Sequence, residues 1–375
     1  MKIAVVAAVL AIVLATDVRA EQRMTIVPSI EIFNVSDDNL NYSVTDPLTD
    51  QIRRITPSLQ LRFDSPRWSS RFSGAIDSEQ YATHSTLDDN MARQRAAMSI
   101  LFHASPRATV AIDADYMNTN TLGDLNTDTG LAGSRIRARR FSASPSMSYR
   151  LSERVNLIVA ASHNVTKAVN GFGMRSDQQS LAFDRRMSGR NTFGMTYIHG
   201  EVVFAGIGTQ PTRTHALLGT WTRDLGARDR MILRAGPRLT DTTYSADVAA
   251  SLTHSFKHSA IGIAIARNPS TVIGYAGVVE TTSVQAMLSY NLGRNLTVFA
   301  TPAAYRTSRE QLKGVVYRVS SGLRYTLTSF LQAEVTYNSD SQTGAIDPLQ
   351  PNARLTHSTL AIGFTTRPKI RDAAR

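Results

Sequence analysis

The stretch Val278–Arg306, VVETTSVQAMLSYNLGRNLTVFATPAAYR, decides how the rest of the chain is read. Its first arm sets Val284, Ala286, Leu288, Tyr290 and Leu292 against Ser283, Gln285, Met287, Ser289 and Asn291. The second sets Leu296, Val298, Ala300 and Pro302 against Asn295, Thr297, Phe299 and Thr301. Apolar and small polar residues alternate with period two on both arms, as in strands whose two faces meet different solvents. Only Gly293-Arg294 separates the arms, which predicts a tight hairpin turn.

The pattern repeats along the chain. Short turns recur at Ser65-Pro66-Arg67, Ser105-Pro106-Arg107, Ser152-Glu153-Arg154, Ser188-Gly189-Arg190, Gly226-Ala227-Arg228, Lys257-His258-Ser259, Gly293-Arg294 and Thr328-Ser329. Longer polar loops separate them: Ser36–Asp50, Thr83–Asn90, Asn118–Ser134, Thr166–Met174, Gly206–Thr212, Asn268–Gly277 and Asp340–Asn352. The predicted strands are 25–35, 51–64, 68–82, 91–103, 107–117, 135–151, 154–165, 175–187, 191–205, 213–225, 229–240, 244–256, 259–267, 278–292, 294–306, 312–327, 329–338 and 353–366. The fold expected is all-β: a transmembrane antiparallel up-and-down barrel of about 18 strands, with 16 as the alternative count, over residues 21–366. Short turns at one end and long loops at the other are the habit of such barrels. A soluble sandwich would also alternate. Its water-facing side normally carries many Lys and Glu, whereas the polar face here is mostly Ser, Thr, Gln, Asn and Arg. Aromatic residues near strand ends, among them Phe63, Trp68, Phe102, Tyr149, Tyr290, Tyr325 and Phe330, fit an interfacial girdle.

Residues 1–20 read as a secretory signal peptide, with Lys2, the apolar run Ile3–Leu14 and Val18-Arg19-Ala20 before cleavage. The run is too short for a membrane helix, which needs about 20 residues. Cysteine is absent, which excludes disulfides, thiol catalysis and cysteine-ligated metals. The formal net charge is +11, and with lysine only at 2, 167, 257, 313 and 369, 36 of the 41 basic residues are arginine. Export and the lack of a clustered basic helix argue against nucleic acid and for phosphorylated lipid or an anionic solute.

Strand parity places many arginines on the inner face: Arg54, Arg62, Arg71, Arg93, Arg95, Arg150, Arg186, Arg230, Arg234, Arg238, Arg318 and Arg324. Asp64, Asp77, Asp113, Asp115, Asp184, Asp247 and Glu334 share that face, so mutual pairing across a polar lumen is one reading. The other is an anion-favouring channel wall, since fixed guanidinium groups lower the barrier for negative solutes and grip carboxylate or phosphate through paired hydrogen bonds. Arg135, Arg137 and Arg139 continue the apolar parity of Phe141 and Met147 and are expected at or above the membrane surface. With Arg140 they are candidates for contact with lipopolysaccharide phosphates, or else a solvated loop base. The histidines are scattered singly, no HExxH is present, and no metal or cofactor is expected. Ser162-His163 and His357-Ser358 are adjacent pairs that a lipid hydrolase could use, but serine is abundant and no orienting acid is marked. An enzyme is therefore not the expectation.

Turn-and-strand units such as Tyr149–Leu157 and Tyr290–Val298 resemble those of bacterial outer-membrane β-barrel proteins of the porin-like type, and the resemblance covers nearly the whole chain after residue 20. It implies the outer membrane of a Gram-negative bacterium and, as partners, outer-membrane lipid, lipopolysaccharide and the barrel assembly machinery. Eighteen strands with an arginine-rich lumen also look like barrels that export anionic exopolysaccharide, which implies periplasmic export components. The chain departs from the class after Leu360, Ile362 and Phe364, where Thr365–Arg375 follows the usual terminal aromatic. Either Phe364 is an internal assembly signal or residues 367–375 form a periplasmic tail. The functional expectation is a passive channel for small or anionic solutes; the alternative is a plugged structural or adhesion barrel working through its outer loops.

Overall fold

The computed structural model describes residues 23–133, 135–169, 171–205, 210–309, 312–344 and 353–366. The signal peptide and the 367–375 tail lie outside these residues. In chain order the strands are β1 (Arg23–Asp37), β2 (Asp50–Asp64), β3 (Trp68–Tyr81), β4 (Asp89–His103), β5 (Ala108–Thr119), β6 (Ala138–Ser152), β7 (Val155–Ala168), β8 (Gly173–Arg186) and β9 (Asn191–Ala205). They continue as β10 (Thr212–Asp224), β11 (Asp229–Thr240), β12 (Thr243–Ser255), β13 (Ser259–Thr271), β14 (Val278–Leu292), β15 (Leu296–Arg309), β16 (Leu312–Thr326), β17 (Leu331–Gly344) and β18 (Arg354–Thr366). Each pairs antiparallel with its sequence neighbours, and β1 closes on β18 through Ile30–Asp37 against Thr359–Thr366. Closure gives every strand a partner on both sides, the condition a membrane imposes on strands.

The two faces separate as period two requires. Outward residues are large and apolar: Ile30 and Ile32, Leu59, Phe141 and Met147, Leu181 and Phe183, Ile261 and Ile263, Leu288 and Tyr290, and Ile362 and Phe364 are all exposed. An exposed apolar band of that extent is a surface made for hydrocarbon. Leu288↔Ala300 and Tyr290↔Val298 are registered neighbours on it, as the deciding hairpin anticipates.

The observed strands differ from expectation mainly at the long-loop end. β13 continues to Thr271 and β17 to Gly344, where Asn268-Pro269 and Asp340 read as loop. There the wall rises past the apolar band, so alternation stops although the ladder does not. β6 begins only at Ala138, because Arg135–Arg137 belong to a loop that turns inward. The Gly293 turn spans 293–295, with Leu292 paired to Leu296 and Gly293 at φ +70°. β11 and β12 are joined at the long-loop end by Asp241-Thr242 alone.

Among the described residues the lumen has no central apolar core. Three buried apolar clusters lie instead where loops meet the inner wall. Leu40 of the β1–β2 loop packs with Val35, Ile52 and Tyr81. Leu131 of the β5–β6 loop packs with Val272, Val279, Tyr305 and Val316, on the far side of the barrel. Leu125 of the same loop packs with Ala138 and Ile273.

Candidate functional site: a lumen crossed by a loop

The β5–β6 loop, residues 120–137, leaves the wall at β5 and crosses to β13–β17. Asn126 is its hinge pin: its Oδ1 accepts from the Ile273 amide at 2.9 Å and its Nδ2 donates to the Leu131 carbonyl at 3.2 Å. The Ala132 amide donates to Gln342 Oε1 at 2.8 Å, and Gln342 Nε2 returns a bond to the Ala132 carbonyl. Arg318 donates to the Gly130 carbonyl at 3.2 Å. Gly130 lies at φ +65° with the Tyr305 ring where a Cβ would stand, so glycine is required there twice over. Near the wall it leaves, Asp124 pairs with Arg93 at 3.3 Å and accepts from Thr119.

The β1–β2 loop also turns in. Asn39 donates through Nδ2 to the Ser43 and Thr356 carbonyls and accepts from the Ser43 amide, so its amide is fully used. Tyr42, at φ +51°, sets its ring 4.6 Å from His357. Burial, then the carboxylates of Asp124, Asp37 and Asp340, push the Tyr42 phenol well above its usual range, so it stays neutral where the two loops converge.

Seven of the twelve arginines assigned to the lumen are paired with carboxylates. Arg54 meets Glu79 at 2.7 Å, Arg62 meets Asp64 at 2.5 Å, and Arg93 and Arg95 converge on Asp77 at 3.5 and 2.9 Å. Arg318 meets Asp340 at 2.7 Å, Arg324 meets Glu334 at 2.9 Å, and Arg238 lies between Asp247 and Glu280. Among the described residues Arg71, Arg150, Arg186, Arg230 and Arg234 have no ion pair. Neither has Arg23, on the inner parity of β1, nor have the inner-face acids Glu31, Asp113, Asp184 and Asp224, so six unpaired arginines on the wall face four unpaired acids.

The four arginines proposed for lipopolysaccharide part company. Arg135 turns into the lumen, donating to the Tyr81 hydroxyl at 2.7 Å, lying 5.1 Å from that ring and reaching Glu79 at 3.9 Å. Because it precedes β6, strand parity does not govern it. Arg140 also points inward, to Asp115 at 3.8 Å and the Leu125 carbonyl at 3.3 Å. Arg137 pairs at the rim with Asp89 at 2.9 Å. Arg139 alone takes the outward position expected of all three odd-numbered residues, registered against Lys167.

Neither serine–histidine couple converges. Adjacent residues of a strand point to opposite faces, so His163 lies outside against Asp177 while Ser162 faces the lumen. His357 lies inside against Asp37, and Ser358 faces out. The orienting acids are thus present, but each histidine has its back to the serine beside it. Among the described residues no three His, Cys, Asp or Glu side chains gather as a metal site would need.

Between the inward loop and the wall of β7–β14 a cavity of about 380 Å³ remains. Leu125, Asn126 and Asp128 line it from the loop; Ile198, Val202, Ala216, Leu218, Arg234, Arg238 and Asp247 line it from the wall.

No protein-family model and no curated protein matches the chain. Solved structures similar to it include OccK5 (OpdH) of Pseudomonas aeruginosa, at 9% identity over 92% of this chain and 99% of that one, TM-score 0.49. OpdL of the same species matches at 12% identity over 92% and 99%, TM-score 0.49. The siderophore receptor PirA, also from P. aeruginosa, matches at 10% identity over 94% and 81%, TM-score 0.44.

Proposed function

We propose that this protein is an outer-membrane diffusion channel of narrow bore, passing small solutes with a slight preference for anions. The observation that carries the reading is the polar lumen left open beside the 120–137 loop, with Arg234 in its wall and no ion pair on that arginine. Eighteen strands enclose more space than side chains alone fill, and the loop narrows that space to a cleft. The preference is slight because six arginines without ion pairs face four acids in the same condition. The outer membrane of a Gram-negative bacterium is the location that fits an apolar-banded barrel, with its long loops outside.

The test is single-channel recording of refolded protein in planar bilayers under a salt gradient. Discrete steps with a weakly anion-biased reversal potential are expected. Silence from protein shown to be folded, by heat-modifiable gel mobility, would sink the channel and favour the plugged barrel. That second reading draws on a specific observation, the anchoring of the 120–137 loop to opposite sides of the wall. Export of an anionic exopolysaccharide would require the loop to swing clear, so we rank it below both. Lipopolysaccharide contact is best supported at Arg139 and Lys167, outward and adjacent; loss of lipopolysaccharide co-purification with the Arg139→Ala/Lys167→Ala variant would be the sign of it.

A further inference from the structure

The short turns carry a repeat that neither the wall nor the inward loops use. Arg67, Arg107, Arg154, Arg190 and Arg228 each stand immediately before the second strand of a hairpin, in five successive short turns. Each adds a rung to the ladder it opens, its carbonyl accepting from an amide at the end of the next strand. His103 donates to Arg67, Arg150 to Arg107 and Arg186 to Arg154, all at 2.7 Å, and Asp224 donates to Arg190 and Ser255 to Arg228 at 2.9 Å. A rung keeps strand parity, and the parity of all five is the inner one, shared with Arg71, Asp113, Ser162, Ile198 and Arg234. All five are exposed, and among the described residues none has an ion pair. Asp64 and Asp229, close to these turns, are taken by Arg62 and His254.

Two of the rungs set arginine against arginine. Arg107 faces Arg150 and Arg154 faces Arg186, and the partners too are on the inner face without an ion pair. Arg150 is registered with Asn156, two residues past Arg154 on the same face, so the two pairs are diagonal neighbours about 7–8 Å apart. Like charges directly opposite one another destabilise a sheet. The acids adjoining these pairs in sequence do not relieve them: Glu153 is exposed in the turn between the pairs with no ion pair, and Asp184 lies over Gly194. Four guanidinium groups of β5–β8 thus stand together at the short-turn mouth. The opposite mouth is built the other way, since Arg54, Arg93, Arg95, Arg238 and Arg318 near the long loops are all held by carboxylates.

An anion that offsets this repulsion needs oxygens for four guanidinium groups. A carboxylate is satisfied by the two parallel bonds of one arginine. A tetrahedral phosphate has oxygens for one guanidinium from each of two adjacent strands, so two such pairs fit two linked phosphates. We propose that the periplasmic mouth binds a diphosphate-bearing anion, with Arg107 and Arg150 at one phosphate and Arg154 and Arg186 at the other. The inference deepens the channel reading by naming an anion and the end that takes it, and rests on it only in assigning the short turns to the periplasm.

Isothermal titration of inorganic pyrophosphate into the refolded protein in phosphatidylcholine nanodiscs, at low salt, tests the site. Saturable binding is expected, about tenfold or more tighter than that of inorganic phosphate and weakened at least about tenfold by Arg107→Gln/Arg154→Gln. Arg294→Gln, in a short turn on the other side of the same mouth, should bind as the wild type does. Heat that does not saturate, or that is indifferent to Arg107→Gln/Arg154→Gln, overturns the site. Binding that vanishes when the discs are made of phosphatidylglycerol assigns these arginines to lipid headgroups and overturns it as well. In bilayers holding the protein in one orientation, pyrophosphate should reduce conductance from the short-turn side alone; equal block from both sides refutes the placement. Pyrophosphate bound by an electrically silent barrel would sink the channel and leave the site; conductance without binding would do the reverse.

Discussion

Gly130→Ala should lever the 120–137 loop off the far wall. The added Cβ would stand 2.6 and 2.9 Å from two carbons of the Tyr305 ring, closer than packed atoms approach. Tyr305 is itself buried against Leu131, Val279 and Val316, so the ring has little room to retreat. Overpacking of this kind costs about 1–3 kcal/mol, and holding alanine in the left-handed region a further 1–2 kcal/mol or so. Against this stand the burial of Leu131, worth about 1.5–3 kcal/mol, and the hydrogen bonds to Gln342 and Arg318, worth about 1 kcal/mol or more each. Penalty and holding energy are of the same size, so a substantial undocked population is expected. In planar bilayers the variant should show larger unitary conductance or frequent excursions to a larger level. Trypsin should cut at Arg135, whose bonds to Tyr81 and Glu79 depend on the docked loop. Heat-modifiable mobility should be unchanged, since no ladder is touched. Unitary conductance and trypsin resistance equal to wild type, in a folded barrel, would refute the view that this loop sets the bore.

Three further outcomes follow from the same geometry. Arg234→Glu reverses one charge in the open cleft; at a distance on the order of 8 Å in water a unit charge is worth about 0.5 kcal/mol, so the reversal shifts anion and cation by about 1 kcal/mol each in opposite senses and should change the anion-to-cation ratio roughly thirtyfold, read as a cation-ward reversal potential. Asn39→Ala leaves the Ser43 amide and the Ser43 and Thr356 carbonyls without their partner, a loss of about 2–4 kcal/mol in docking of the β1–β2 loop, which should appear as new proteolysis within 38–49 and leave the barrel intact. Leu288→Arg puts a cation in the outward apolar band and should cost about 2–4 kcal/mol in urea unfolding from lipid, whereas Gln285→Arg, on the inner face, should cost far less.

The barrel was legible because its signal is repeated and local. Every strand carries the same alternation, and errors at one boundary do not propagate to the next. What alternation cannot report is where a wall goes once it leaves hydrocarbon, which is why β13 and β17 run past the points where Asn268-Pro269 and Asp340 suggested loops. Nor can it report partners. Arg238 and Arg318 are both held by carboxylates from neighbouring strands, and an arginine so held offers a passing anion much less than a free one. Arg135 escaped the method altogether, since parity applies only inside a strand.

The inward loops did leave a trace in the sequence, in the form of exceptions. Val35, Ile52, Tyr81, Val279, Tyr305, Val316 and Leu355 all sit on the inner parity of their strands, where the rest of the lumen is polar, and all are buried. They lie toward the long-loop ends, and loop residues Leu40 and Leu131 cover two sets of them. An apolar residue facing an aqueous lumen is costly unless something covers it, so a cluster of parity exceptions near one rim predicts a cover. The same reasoning marks Ile198, Val202 and Leu218, which line the cavity beside Arg234, and there too the packing covers the exception, since Leu218 is only 1% exposed.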